Sequence, residues 1–127
     1  MKSYKDLEIY QLAFQYAIEV HHLSLKLPKF ELYEQGSQVR RSSKSIKDNI
    51  AEGYGRRRYK QEFIRYLIFS HASLTECISQ LEMLAVLYPE TNFKQMIEKY
   101  DQLGAKIFKF TEYVESSWKT GKYTVAR

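Results

Sequence analysis

The stretch Ser45-Ile46-Lys47-Asp48-Asn49-Ile50-Ala51-Glu52-Gly53-Tyr54-Gly55-Arg56-Arg57-Arg58-Tyr59-Lys60 decides how this chain folds. Upstream and within it, Val39, Ser43, Ile46, Ile50 and Gly53 recur at helical spacing and make one narrow apolar face, with Ser42 and Ala51 beside it. Small residues on such a face allow a neighbouring helix to approach closely. Ser45, Asn49 and Glu52 follow at i, i+4 and i+7 and form a polar ridge next to it. Gly53 and Gly55 are expected to end the helix, because glycine readily takes the left-handed cap conformation. The most basic run of the chain, Arg56 to Lys60, begins at that point.

Three further helical patterns surround this one. Residues of about 6–26 form the first, opened by a Ser3/Asp6 capping box and stopped by Leu27-Pro28. It has two apolar stripes: Leu7, Tyr10, Phe14, Ala17 and His21, and Ile9, Ala13, Tyr16, Val20 and Leu23. One stripe is expected to pack inside the chain and the other against a neighbouring subunit. The second helix spans about 37–54. The third, about 59–87, carries Phe63, Leu67, Ser70, Leu74, Cys77, Leu81, Leu84 and Tyr88 on a heptad seam. The fourth, about 92–118, opens at Asn92 with Gln95 as capping partner and repeats the seam with Met96, Tyr100, Leu103, Ile107, Phe110 and Val114. Short connections and seams of this period predict a single all-α domain over 1–127, an antiparallel up-down-up-down four-helix bundle. The tail after Trp118 is expected to be loosely held.

With 127 residues the chain is long enough to bury one core, and 5 Gly with 2 Pro are few, as expected of helices. The only cysteine, Cys77, lies in an apolar seam, which excludes a disulfide framework and suits a reducing compartment. No segment has signal-peptide or membrane-span character, so a cytoplasmic protein is expected. The net charge of +5 is unevenly placed: residues 35–65 hold nine Lys and Arg against three acids, and the rest of the chain is close to neutral. Charge gathered in this way suits a polyanionic partner.

Several short motifs in these helices resemble one known family, the four-helix-bundle proteins encoded in intervening sequences of bacterial 23S ribosomal RNA genes. Ser45-Ile46 with Asn49-Ile50-Ala51-Glu52-Gly53 matches its most characteristic motif in full. Asp6-Leu7 with Tyr10-Gln11, Pro28 with Glu31, Gln38 with Arg40-Arg41, and Glu62-Phe63, Ser73, Glu76 and Gln80-Leu81 are similar to its other conserved places. Gln35 stands where leucine is usual, and Ala72 where glycine is. The resemblance implies a closed bundle that assembles into a homo-oligomer, commonly a pentamer. It also points to a distant relative that serves as an accessory RNA-binding and reverse-transcriptase-binding subunit of diversity-generating retroelements. For the family proper it implies no established activity.

The candidate nucleic-acid-binding residues are Arg40, Arg41, Lys44, Lys47, Arg56, Arg57, Arg58, Lys60 and Arg65, with Tyr54 and Tyr59 bracketing the arginine run. Arginine forks bind phosphate, and tyrosine rings stack on unpaired bases, so RNA is favoured over DNA. Ser45, Asn49, Glu52, Ser73, Glu76 and Gln80 are read as a structural polar network that fixes helix register, within or between subunits. No catalytic residue, metal or cofactor is assigned. The single Glu19/His22 pair falls short of a di-iron bundle, which needs that pair on two helices. Cys77 has no basic neighbour to activate it. The expected function is therefore that of a non-catalytic, homo-oligomeric bundle that binds nucleic acid. A protein-interaction scaffold is the alternative.

Overall fold

The computed structural model describes residues 3–119. Its helices are α1 (Glu8–Ser24), the short α2 (Lys29–Leu32), α3 (Gln35–Gly55), α4 (Lys60–Leu87) and α5 (Phe93–Ser117), preceded by a 3-10 turn at Tyr4–Asp6. Among the described residues there is no strand. Of the four long helices, α1 packs on α3, α3 on α4, α4 on α5 and α5 on α1, so a bundle closes around one core. None of these helices is long and apolar enough to cross a membrane. Residues 120–127, the tail expected to be loosely held, lie outside the described residues.

The heptad seams supply the core. Phe63, Leu67, Leu74, Cys77, Leu81 and Leu84 of α4 are buried, as are Met96, Tyr100, Leu103, Ile107 and Val114 of α5. Each large apolar side chain so enclosed contributes about 1.5–3 kcal/mol relative to exposure. In α1 the Ile9, Ala13, Tyr16 and Val20 stripe is buried together with Ala17, while Phe14 of the other stripe is exposed. At the bundle end, Phe63 packs edge-on against Trp118, with ring centroids 5.1 Å apart.

Contacts between α3 and α4 fix their register. Ser42 meets Gln80, Ser45 meets Ser73, and the Ser70 hydroxyl donates to the Ile46 carbonyl at 2.7 Å. Gly53 lies against Tyr66 and Phe63. Between α1 and α5, Glu19 accepts from Lys99 at 2.6 Å and Glu8 from Lys106.

Four helix ends differ from the sequence expectation. The Ser3/Asp6 capping box forms, but it closes the 3-10 turn. Leu7 then takes an extended conformation, and α1 starts after it without a side-chain cap. Helix α3 begins at Gln35, two residues early, because the Glu31 carboxylate accepts the Gln35 N–H. At its other end Gly53 is helical and buried, and α3 runs on through Gly55 to a cap at Arg56 with φ −102°. Gly53 therefore serves close approach rather than a left-handed stop. Asn92 spends its amide on the Gln95 side chain and does not cap α5 through a backbone bond.

Candidate nucleic-acid interface

The segment that joins α3 to α4 is built by its own backbone. Arg56, Arg57 and Tyr59 donate their N–H groups to the carbonyls of Gly53, Tyr54 and Arg56. These bonds fold residues 56–59 into a tight turn, so three consecutive arginines leave the bundle at one corner.

Each arginine there lies over a tyrosine ring. The Arg57 guanidinium carbon is 4.1 Å from the Tyr54 centroid, Arg56 is 4.8 Å from Tyr66, and Arg58 is 5.7 Å from Tyr59. Arg65 similarly lies 5.4 Å from Phe69. A guanidinium over a ring face is attracted by the ring's negative face, which restrains where the side chain lies. Tyr59 is exposed, but Tyr54 is buried and packs edge-on against Phe63. The expectation that both tyrosines offer a stacking face is thus corrected: Tyr54 is a core side chain that supports Arg57.

The arginines differ in how far they are engaged. Arg56 pairs with Glu52 at 3.1 Å and with Glu62 at 3.3 Å. The hydrogen bond to Glu52 raises the Arg56 pKa further above its ordinary value. Both acids are on the surface, where such pairs contribute little to stability and are screened by salt. Arg57 donates to the Tyr54 carbonyl at 3.0 Å. Arg65 reaches Glu62 at 3.7 Å. Lys60 forms no ion pair among the described residues.

The candidates on α3 divide in two. Arg40 is half-buried, and its fork donates to the Ser24 hydroxyl at 2.8 Å and to the Leu32 carbonyl at 2.9 Å. It ties α3 to α1 and α2. Arg41 and Lys44 are exposed and form no ion pair among the described residues. Lys47 pairs with the adjacent Asp48 at 2.6 Å and lies over Phe14. On the facing side of α1, burial and the positive charge of Lys44 push the His21 imidazole below its usual range.

The polar ridge is parted into separate contacts. Ser45 shares a hydrogen bond with Ser73 at 2.9 Å, and Asn49 donates to the Ser45 carbonyl and hydroxyl. Gln80 accepts from Ser42 at 2.7 Å. Glu52 turns to Arg56 instead. Glu76 is exposed and makes no hydrogen bond or ion pair among the described residues. Ser42 carries a role the sequence reading did not give it, since at sequence level its position beside the small-residue face showed packing only.

Elsewhere, Glu19 of the Glu19/His22 pair is taken by Lys99. Burial pushes the Cys77 thiol up to about 12, so it is protonated at neutral pH. The Tyr100 hydroxyl is buried against it, with that thiol, a weak partner, in place of an oxygen or nitrogen to bond.

A search of curated proteins gave no match to this chain. The family model for the 23S rRNA-intervening sequence protein matches residues 5–109, which takes in all of α1 to α4 and most of α5. With that match and a bundle of four long helices, the chain belongs to the 23S rRNA-intervening sequence protein family.

Proposed function

We propose that this protein is a non-catalytic, homo-oligomeric bundle of antiparallel up-down-up-down helices that binds nucleic acid, with RNA preferred to DNA. The observation that carries the reading is the α3–α4 corner, where Arg56, Arg57 and Arg58 each lie on a tyrosine ring. Arginines placed on ring faces in this way are positioned to meet phosphate oxygens, Arg56 by exchanging its exposed pairs with Glu52 and Glu62, and the exposed Tyr59 ring offers a face to an unpaired base. Lys60, Arg41, Lys44 and Arg65 extend the positive charge along both helices. Arg40 supports the fold and is outside this surface.

Self-association is supported by apolar side chains left exposed on α4 and α5, among them Ile68 and Phe108, which a second copy would cover. A pentamer repeats the arginine corner five times, and multivalent contact then turns weak single-site binding into useful avidity.

Titration of labelled single-stranded RNA and of DNA of the same sequence at several salt concentrations tests the reading. The expected result is tighter binding of RNA, with affinity that falls steeply as salt rises. Absence of binding at low salt overturns it. The same exposed apolar side chains favour a second reading, a protein-interaction scaffold. Recovery of one stoichiometric protein partner after nuclease treatment, together with absent RNA binding, establishes that alternative.

A further inference from the structure

A second polar feature lies on the α3–α4 face, away from the arginine corner. Gln38, Arg41, Ser42 and Ser45 of α3 and Glu76 and Gln80 of α4 line a cleft of about 160 Å³. Its floor is fixed: Ser42 donates to the Gln80 side-chain oxygen at 2.7 Å, and Ser45 bonds Ser73. The Gln80 oxygen is therefore engaged and its amide N–H groups are left to donate. Arg41 and Glu76 line the same cleft with opposite charges, yet they form no ion pair with each other or with any other described residue. A cleft that keeps a guanidinium and a carboxylate apart suits a ligand with an acceptor edge for one and a donor edge for the other.

The volume is below the roughly 300–1,000 Å³ of sites for drug-sized ligands, so one heterocyclic base fits the scale better than a whole nucleotide. Among RNA bases only guanine presents two adjacent donors, N1–H and the N2 amino group, that a carboxylate can accept together. Its O6 and N7 are acceptors suited to an arginine fork or an amide. Adenine and cytosine each set a single amino donor beside an acceptor, and uracil sets its one donor between two carbonyls that repel a carboxylate. Arg41, Ser45, Asn49, Glu52 and Arg56 recur at spacings of three and four along α3. They thus join the cleft to the arginine corner over about 22 Å of helix.

We propose that this cleft takes an unpaired guanine base of a bound RNA strand, with Glu76 accepting from N1–H and N2–H and Arg41 donating to the acceptor edge. The inference rests on the RNA-binding reading above and adds base preference to it. The experiment is anisotropy titration of the intact protein with four oligouridine 12-mers that differ only at one central position, G, A, C or U. The wild type is expected to bind the G-containing strand about tenfold more tightly than the others. Glu76→Gln is expected to bring the four within about twofold while binding of the all-uridine strand persists. Glu82→Gln, an exposed acid on the same helix outside the cleft, should leave the preference intact. Equal affinity of the wild type for all four strands overturns the guanine assignment and leaves RNA binding standing. An equal effect of Glu82→Gln reveals general charge repulsion and also overturns it. Failure of the wild type to bind any strand at low salt overturns both readings together.

Discussion

The Gly53 backbone and the Tyr66 side chain touch so closely that a methyl group added at Gly53 would stand 2.9 Å from the Tyr66 Cβ and 3.3 Å from Phe63. That contact sets the spacing of α3 and α4 just before the arginine corner. Alanine is the better helix former by about 1 kcal/mol, but overpacking between two rigid helices costs about 1–3 kcal/mol. Gly53→Ala is expected to lower stability by up to about 2 kcal/mol in urea unfolding. Gly55 has open space around it and no left-handed backbone, so Gly55→Ala should gain about 0.5–1 kcal/mol. A neutral Gly53→Ala would show that the helices can part without loss.

Arg40 joins three helices through the Ser24 hydroxyl and the Leu32 carbonyl. Hydrogen bonds from a charged donor to partly buried acceptors contribute about 1.5–3 kcal/mol. Arg40→Ala is expected to lose about 2 kcal/mol, and Arg40→Lys most of that, because an ammonium cannot reproduce the fork. RNA affinity of the folded Arg40→Lys protein should stay within about twofold of wild type. A stable variant that has lost RNA binding would assign Arg40 to the interface.

The Tyr100 hydroxyl is buried with only the weakly bonding Cys77 thiol beside it, which leaves uncompensated part of a desolvation cost of about 1–3 kcal/mol. Tyr100→Phe keeps the ring and its edge-on contact with Tyr16, and should raise stability by about 1 kcal/mol. Burial also raises the pKa of Tyr100, and that of Cys77 to about 12. Both groups hold their protons in the folded state more tightly than when unfolded. Stability is therefore fully present below about pH 9 and falls as pH rises beyond it, by up to about 1.4 kcal/mol per pH unit for each group. Urea unfolding at pH 8, 9.5 and 10.5 should show that fall, with a shallower slope in Tyr100→Phe. A slope the same in both proteins would remove Tyr100 from this account.

Substituting Arg56, Arg57 and Arg58 together by serine removes three phosphate donors from the proposed interface. For single-stranded RNA each such contact contributes about 0.7 to the slope of log affinity against log salt, so the slope should fall by about 2. Circular dichroism should remain helical, since the turn is made by backbone bonds. An unchanged slope with unchanged affinity would exclude this corner as the binding surface.

Ile68 of α4 and Phe108 of α5 are exposed apolar residues. If a second copy covers them, Ile68→Asp with Phe108→Asp should lower the mass in solution to that of one chain without loss of helicity. A wild type that sediments as a monomer at micromolar concentration would end the proposal of self-association.

The seam from Phe63 to Leu84 was legible in the sequence because a heptad of apolar residues has no other stable use than a helix packed along its length. Likewise, the run from Arg56 to Lys60 could be read as an exposed bend, since three arginines find no room in a core. Arg40, Arg41, Lys44 and Lys47 look alike in sequence, but only Arg40 is drawn inward, by acceptors that α1 and α2 place beside it. Tyr54 and Tyr59 look equally available, and the edge of Phe63 takes one of them into the core.

By itself, then, the sequence determined where the four long helices run, which faces are apolar, and where along the chain the positive charge gathers, because periodicity and composition act along the chain and need no partner. The tertiary structure alone decided which guanidinium holds the fold, that Gly53 makes space rather than a stop, and that Arg41 and Glu76 share a cleft. Those outcomes depend on atoms distant in sequence that only packing brings within a few ångströms of one another.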